Sequence, residues 1–387
     1  MGIEGIKFNR GELSGAFGDI GTDFPLIVAM ILAAGLHSPS VLIIFGSMQV
    51  LTGLVYRMPM PVQPLKAMAT IVISQKIPGP VLFGGGLAIG ITMLFLSVTG
   101  LLEKLARIVP KAVVRGIQFG LGMSLCTLAL KEYIPADKTH GYILALLAFT
   151  IIVIFLDSKK LPVAFVVILL GILYSLIFKI DLQILKDSFG VNLPSLYVPT
   201  RENIVQGFIL LALPQIPLSL GNSIIATKQV AQDLFPGKNL SVKKIGFTYS
   251  LMNLIAPFFG GVPCCHGSGG MVGHYTFGGR TGGSTIIYGL FYLVLGLFFG
   301  NGFSEVVKAF PLPVLGVILV FEGIALIALI RDLKDKRDFV IALLVGLAAA
   351  GLPYGFVISI LIGTIIYYSA VRFNVLGEIG ENSAEKC

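Results

Sequence analysis

The sequence predicts an all-α polytopic membrane protein, and three observations support this. The chain has 387 residues, of which 55% are hydrophobic and only 12% are charged. A soluble domain carries about a quarter of its residues as charged side chains, so these charges are too few to solvate the surface of a protein this long. Apolar runs long enough to cross roughly 30 Å of hydrocarbon, which takes about 20 residues per helix, recur along the whole chain. The 47 glycines fit helices that pack closely or break inside a membrane.

Apolar runs bounded by charge, proline or glycine predict about fourteen spans, seven in each half of the chain. The first half, residues 1–178, has predicted spans near 16–36, 39–56, 60–75, 81–100, 113–130, 142–156 and 161–178. The second half, residues 205–372, has predicted spans near 205–226, 245–260, 263–274, 283–300, 311–330, 338–350 and 354–371. We expect residues 179–204 to form an extracytoplasmic connection and residues 373–387 a cytoplasmic tail.

Basic residues predict the orientation in the membrane. With a cytoplasmic N-terminus, 20 of the 28 Lys and Arg residues fall on the inside and 7 on the outside, while Lys66 is left within the membrane. This bias predicts an inner (plasma) membrane protein with both termini in the cytoplasm. The net charge of +8 is divided among short clusters between apolar runs, so it does not indicate a nucleic-acid partner.

The two halves resemble each other weakly but in a constant order. Phe24-Pro25-Leu26 matches Ile216-Pro217-Leu218, and Pro61 matches Pro263. The run from Val109 to Gly122 parallels the run from Phe310 to Gly323. Because seven spans is an odd number, a duplicated half must be inserted upside down. Short, Gly/Pro-interrupted segments at corresponding places in two inverted halves point to a transporter's binding site.

Two segments have that character, and both predict a half-helix that follows extended backbone. One is MPMPVQPLKAMATIVIS at 58–74 and the other is GVPCCHGSGGMVG at 261–273. A helix N-terminus presents unpaired N–H groups and about half a positive charge, so two of them facing each other predict an anion site. Side chains and glycine backbone there are candidate ligands, as are two polar residues of span eight: Gln63, Lys66, His266, Gly267, Ser268, Gly269, Gln215 and Asn222.

Each candidate ligand also has a structural alternative. Lys66 could contact the anion, form an ion pair with an acid such as Asp19 or Asp23, or extend to the interface. Gln63 could cap exposed backbone, and His266 could cap the start of its half-helix. Cys264, Cys265 and His266 are adjacent, but a zinc site needs ligands spaced to close a tetrahedron. We therefore expect neither a metal nor a cofactor.

Three acids in apolar spans are candidates for coupling transport to an ion: Asp19, Asp23 and Glu322. Carboxylates in such spans seldom face lipid. They could carry protons, coordinate sodium or pair structurally, with protons as the expected coupling cation.

Four stretches resemble the molybdate transporter family, a branch of the sulfate permease (SulP) superfamily without a STAS domain. They are GAFGDIGTDFPL (15–26), MPMPVQPLKAMA (58–69), PQIPLSLGNSIIATKQVAQDLFP (214–236) and NLIAPFFGGVPCCHGSGGMVGHYTFGGRTGGS (253–284). The resemblance implies a uracil permease-like fold of two inverted repeats, with a core domain of spans one to four and eight to eleven and a gate domain of the others.

The resemblance also places Gln63, Lys66, His266 and Ser268 at the half-helices, with Asp19, Gln215 and Asn222 beside them. Asn222 stands where many sulfate permeases have a Glu, which weakens coupling schemes that need a carboxylate there. The chain ends soon after its last apolar run, which favours the molybdate branch.

The predicted function is secondary active transport of a tetrahedral oxyanion into the cell, and molybdate is the first-choice substrate. We do not expect the protein to be an enzyme. A sulfate transporter of the same fold is the main alternative, and an anion channel or exchanger is another. A nucleobase symporter would need paired carboxylates at the half-helices, and an intramembrane enzyme would need converging acids or metal ligands. The lipid bilayer is an expected partner, and a homodimer is possible.

Overall fold

The described part of the chain is mostly helical. A computed structural model describes residues 5–155, 163–179, 189–238 and 240–373. The first half contains α1 (Arg10–Ala16), α2 (Ile20–Ala34), α3 (Ser38–Tyr56), β1 (Val62–Pro64), α4 (Lys66–Gln75), α5 (Gly79–Thr99), α6 (Leu101–Ile108), α7 (Lys111–Leu128), α8 (Lys138–Phe155) and α9 (Val163–Phe178). The second half contains α10 (Arg201–Leu234), α11 (Val242–Ile255), β2 (Cys264–His266), α12 (Ser268–Thr276), α13 (Gly282–Ala309), α14 (Leu312–Ala328), α15 (Lys336–Gly351) and α16 (Gly355–Arg372).

Within the described residues, eight helices are long and apolar enough to cross a membrane, or nine if the bent pair α1–α2 is one span. The protein is therefore a multi-pass membrane protein. Helices α8 and α16 are the least covered of these, since only 28% of their apolar windows is buried. Their exposed Leu, Ile, Val and Phe side chains fit a lipid-facing surface.

Regular helical geometry is interrupted between α1 and α2 and within α10, at polar or proline-containing sequence. Helices α1 and α2 meet at an angle of 41°, at the break next to Asp19. Helix α10 contains Pro214 and Pro217, and its backbone widens into π-helical turns at Phe208–Ala212 and Ser219–Ala226. Proline lacks an N–H and clashes with the preceding turn, and π turns absorb such irregularity.

Helix α10 continues to Leu234, beyond the predicted span at 205–226. The predicted span ends just before Lys228, where charged residues begin. Thr227–Leu234 is an amphipathic extension that packs against α12, so charge marks the end of the apolar segment and not of the helix.

The helices pack in two groups. In the first, α3 packs along α13, and α5 packs against α10 and α11. In the second, α7 packs against α14, α15 and α16. Glycines bring backbones together in both groups: a Cβ at Gly46 of α3 would clash with the Gly289 carbonyl of α13, and one at Gly122 of α7 with the Gly323 carbonyl of α14.

The polar connection between the halves is partly described. Residues 180–188, like 156–162 and the predicted tail from 374, lie outside the described residues. The following extended segment is held by backbone bonds from Asn192 to Leu297 and from Tyr197 to Phe258. It therefore lies beside the kink of α13 near Phe299 and just past the end of α11.

Candidate anion-binding site

A two-stranded antiparallel ladder holds the centre of the molecule. Strand β1 pairs with β2 in the register Val62–His266, Gln63–Cys265 and Pro64–Cys264. Proline supports this conformation because it disfavours helix at the residue before it. Helix α4 begins two residues after β1, and α12 begins two residues after β2. The ladder thus brings the N-termini of both short helices together, as the proline and glycine pattern predicts.

Two buried amide side chains complete this ladder, and sequence analysis missed both. Gln49 on α3 accepts from the Val62 N–H at 2.9 Å and donates to the Val62 carbonyl at 2.7 Å. Asn253 on α11 accepts from the Cys264 N–H at 2.9 Å and donates to the Cys264 carbonyl at 2.6 Å. Each amide bonds the outer backbone groups of its strand, as a neighbouring strand would. The available signal was a lone amide in an apolar helix shortly before each half-helix segment.

The two half-helix N-termini are not equivalent. The side-chain Oε1 of Gln215 accepts from the N–H groups of Ala67 and Met68, at 2.9 and 3.3 Å, so it caps α4. Its Nε2 donates to Ser219 Oγ at 3.1 Å, which fixes the amide orientation. Helix α12 has Gly267 at its N-cap and no capping side chain. The donors available to an anion are therefore those of α12.

The Gln63 amide is fixed between α2 and the start of α12. Its Nε2 donates to both carboxylate oxygens of Asp19, at 2.9 and 2.7 Å. Its Oε1 lies where a Cβ of Gly267 would be, and Asp19 Oδ2 lies where a Cβ of Gly270 would be. These two glycines are needed for close approach, whereas a Cβ at Gly269 would meet nothing within 4 Å. Gly269 therefore faces open space.

Lys66 is the first residue of α4, and its partner is an acid from the other group of helices. Its Nζ lies 3.7 Å from Oε2 of Glu322 on α14, and the two side chains are 30% and 15% exposed. The ion pair considered in the sequence, with Asp19 or Asp23, is thus replaced by one with Glu322. Asp19 is instead bound to Gln63.

Asp23 lies one helical turn beyond Asp19 and is fully buried. No hydrogen bond of normal geometry reaches either of its carboxylate oxygens within the described part of the chain. Asp19 and Asp23 thus place two buried carboxyl groups one turn apart at the start of α2.

The His266 imidazole contacts side chains of α11 and α3. Its Nε2 lies 2.7 Å from Thr248 Oγ1 on α11, and its ring packs edge-on against Tyr56 with centroids 5.3 Å apart. The side chain is fully buried. His266 therefore does not cap α12, as the structural alternative supposed, but pairs with Thr248.

A cavity of about 230 Å³ lies at the start of α12. All eight candidate ligands from the sequence line it: Gln63, Lys66, Gln215, Asn222, His266, Gly267, Ser268 and Gly269. Ser223 and Cys265 add polar groups, and Ala325, Leu326 and Leu329 of the α14 segment form an apolar wall. Among the described residues, Lys66 is the one charged side chain in this lining. A cavity with one cation, several N–H and O–H donors and no carboxylate is suited to an anion.

No group of three or more His, Cys, Asp or Glu side chains that could hold a metal ion occurs in the described ranges. The adjacent Cys264, Cys265 and His266 are the three residues of strand β2.

Comparison with known proteins identifies the family. The sequence model of a family described as "Molybdate transporter of MFS superfamily" matches residues 11–125 and 207–326. Arabidopsis thaliana Molybdate transporter 2 and Molybdate transporter 1 are 34% and 32% identical to this chain, over 86% of it and 81% and 82% of their own lengths. The chain belongs to the molybdate transporter family. The two matched blocks contain every candidate ligand and all three candidate coupling acids.

Two solved structures show the fold of this chain. The transmembrane domain of the cyanobacterial bicarbonate transporter BicA superposes with a TM-score of 0.68, at 20% identity over 93% of this chain and 98% of that one. Murine Slc26a9, an anion transporter in the inward-facing state, superposes with a TM-score of 0.72, at 12% identity over 96% of this chain and 70% of that one. Both likenesses show that this chain shares the fold of these two transporters.

The unequal contacts of Gly267 and Gly269 give a matched test of the site geometry. Gly267→Ala should displace Gln63, break its bonds to Asp19 and lower the thermal unfolding temperature, because the new Cβ overlaps the Gln63 side chain. Gly269→Ala adds the same methyl group into open space and should leave that temperature nearly unchanged. Thermal unfolding of both variants in detergent measures this, and equal destabilisation would contradict the described packing.

Proposed function

We propose that this protein is a secondary active transporter that takes up a tetrahedral oxyanion, with molybdate first, bound at the N-terminus of α12. One observation carries the proposal: α12 begins without a capping side chain, and its first residues face a cavity whose lining, among the described residues, contains Lys66 and no carboxylate. The names of the Arabidopsis relatives support molybdate as the substrate. Sulfate has the same shape and charge, so competition between the two anions for the purified protein decides between them.

The donors proposed for the anion are the backbone N–H groups at Ser268 and Gly269, the Ser268 hydroxyl, the Asn222 amide and the Lys66 ammonium group. Gln63 and Gln215 line the cavity, but their amides are held by Asp19 and by the start of α4. We propose that these two residues position the site. His266 has a similar supporting role through Thr248.

The proposed architecture has fourteen spans in two inverted repeats, with a core and a gate domain. The pairing of β1 with β2 and the equivalent bonds of Gln49 and Asn253 support the inverted repeat. The two packing groups of helices support a core that contains α3, α5, α10, α11 and α13 and a gate that contains α7, α14, α15 and α16. Movement of the core against the gate would carry the anion across the membrane.

We propose that both termini face the cytoplasm of a plasma membrane protein, because the predicted topology places 20 of the 28 Lys and Arg residues on that side. Cysteines introduced at Lys243 and Lys334 should then be protected from a membrane-impermeant maleimide in intact cells. A cysteine at Lys308, in a predicted external loop, is the matched control and should be labelled. External labelling at Lys243 or Lys334 would contradict the topology.

Filling the space at the start of α12 tests the site. Ser268→Leu should abolish molybdate uptake while the protein remains folded and inserted, because the leucine side chain would occupy the cavity. Ser268→Ala is the matched control: it should bind molybdate about fivefold more weakly, as expected for one hydrogen bond of about 1 kcal/mol. Binding titrations and uptake into liposomes measure both. Unchanged affinity in Ser268→Leu would move the site elsewhere.

Uptake of a dianion needs accompanying cations. Each negative charge that enters a negative cytoplasm works against roughly 2.3 kcal/mol per 100 mV, so a dianion works against about twice that. We propose proton symport in which Asp19, Asp23 and Glu322 carry the protons. Asp19 is the first choice because it contacts Gln63 beside the cavity and lies at the break between α1 and α2.

The Lys66–Glu322 pair offers a link between anion and proton. Lys66 lies on α4 beside the core helices and Glu322 lies on α14 of the gate. An anion that binds Lys66 would replace Glu322 as the partner of the ammonium group. The Glu322 carboxylate would then lose its partner on α4, so binding of the anion would change the contact between core and gate.

An acidic exterior should therefore accelerate molybdate uptake into liposomes, and Asp19→Asn should remove that acceleration. Glu322→Gln should also reduce it, since it cannot accept the proton. Glu132→Gln is the control: this acid forms an exposed ion pair with Lys76 away from the cavity, and its loss should change little. Uptake driven by sodium and not by protons would refute the proton proposal. Dependence on neither would indicate an exchanger or a channel.

A further inference from the structure

A second cavity lies next to the first, nearer the end of the bundle with the basic loops. Its volume is about 610 Å³, and its walls come from the start of α7, from α10 and from the end of α16. Asn222 lines both cavities, so the two adjoin at this residue. A Cβ at Gly221, also in the wall, would meet nothing within 4 Å, which shows how open this side of α10 is.

The start of α7 supplies positive charge to this second cavity. Pro110 is the N-cap, no side chain caps the helix, and Lys111 is its first residue. Pro110, Lys111, Arg115 and Gln118 all belong to the cavity wall. The partial positive charge of an 18-residue helix therefore adds to two cationic side chains on the same wall.

One carboxylate shares both cations. Asp332, which follows α14, accepts from Arg115 Nε at 3.0 Å and from the Arg115 NH2 group, and it also pairs with Lys111 Nζ at 3.0 Å. Two cations against one anion leave a net charge of +1. Arg115 also donates through NH1 to Gln118, and these three bonds use three of its five N–H donors. Two N–H donors of the guanidinium group remain.

Gln118 gives an independent indication of a ligand. The residue is only 1% exposed, and its Oε1 accepts from Arg115 NH1 at 2.8 Å. Its Nε2 has no hydrogen-bond partner among the described residues. A buried amide N–H without a partner is unfavourable and calls for an explanation. A bound acceptor in the cavity whose wall Gln118 forms would satisfy it.

We infer that Lys111, Arg115 and Gln118 form a second oxyanion site, a staging site through which the anion passes between the α12 site and the cytoplasm. The α7 N-terminus and Lys111 attract the anion, while Gln118 Nε2 and the remaining Arg115 donors bind its oxygens. Asp332 holds the Arg115 plane in place and keeps the site weak enough for release. The inference rests on the proposed function only in that the same anion occupies both sites.

The test measures the second site by itself in the Ser268→Leu variant, whose leucine side chain fills the α12 cavity. Molybdate is titrated into the full-length protein in nanodiscs, as wild type and as Ser268→Leu. We expect Ser268→Leu to lose the tighter binding and to retain a weaker, saturable site that high ionic strength abolishes, because salt screens exposed charges. Adding Lys111→Gln and Arg115→Gln should then weaken the residual binding about tenfold or more.

A matched control removes two lysines around another acid at the opposite end of the bundle. Lys76→Gln with Lys131→Gln, near Glu132 and a cavity of about 280 Å³, should leave the residual binding intact in the same background. Gln118→Leu keeps the Arg115–Asp332 bonds and should also weaken the residual binding, which covers the case in which the charge variants fail to fold.

The outcomes distinguish the staging site from the proposed function. No residual binding in Ser268→Leu, or residual binding that ignores Arg115 and Gln118, would overturn the staging site. Tight binding that survives Ser268→Leu and is lost with Arg115→Gln would instead refute the α12 site and leave the staging site as the main one.

Discussion

The pairing of β1 with β2 is the constraint on which the rest of the structure depends. Each strand has only three residues, and the ladder has no third strand in the described residues. Gln49 and Asn253 take the place of that missing strand, so the outer backbone groups of Val62 and Cys264 are bonded in a region without water. Because each strand leads into a helix, the ladder sets the position of both helix N-termini.

This constraint explains why the glycines of the site differ in importance. Gly267 and Gly270 contact Gln63 and Asp19, so they decide whether α2, β1 and α12 can approach one another. Gly269 has no such neighbour and leaves room at the start of α12. The capping of α4 by Gln215 leaves one helix N-terminus for the anion where the sequence suggested two. The two half-helices therefore differ at their N-termini although their strands and supporting amides are equivalent.

Local sequence patterns predicted a large part of this arrangement. Prolines before each half-helix predicted extended backbone, and the candidate ligands do line one cavity. The partners of individual side chains could not be predicted, since they depend on contacts between distant segments. Lys66 meets Glu322 and not Asp19, because Gln63 already binds Asp19. Gln49 and Asn253 carried no pattern beyond being amides in apolar helices. The position at which α10 ends was not predicted, because charged residues mark the end of an apolar segment but do not end a helix.

The most direct test of the α12 site is a cryo-electron microscopy structure with tungstate, a heavy tetrahedral analogue of molybdate. The account predicts density about 3 Å from the N–H groups at Ser268 and Gly269, a normal hydrogen-bond distance, with Gln215 still bound to Ala67. Density at the start of α4, with Gln215 displaced from Ala67, would contradict the assignment of the anion to α12.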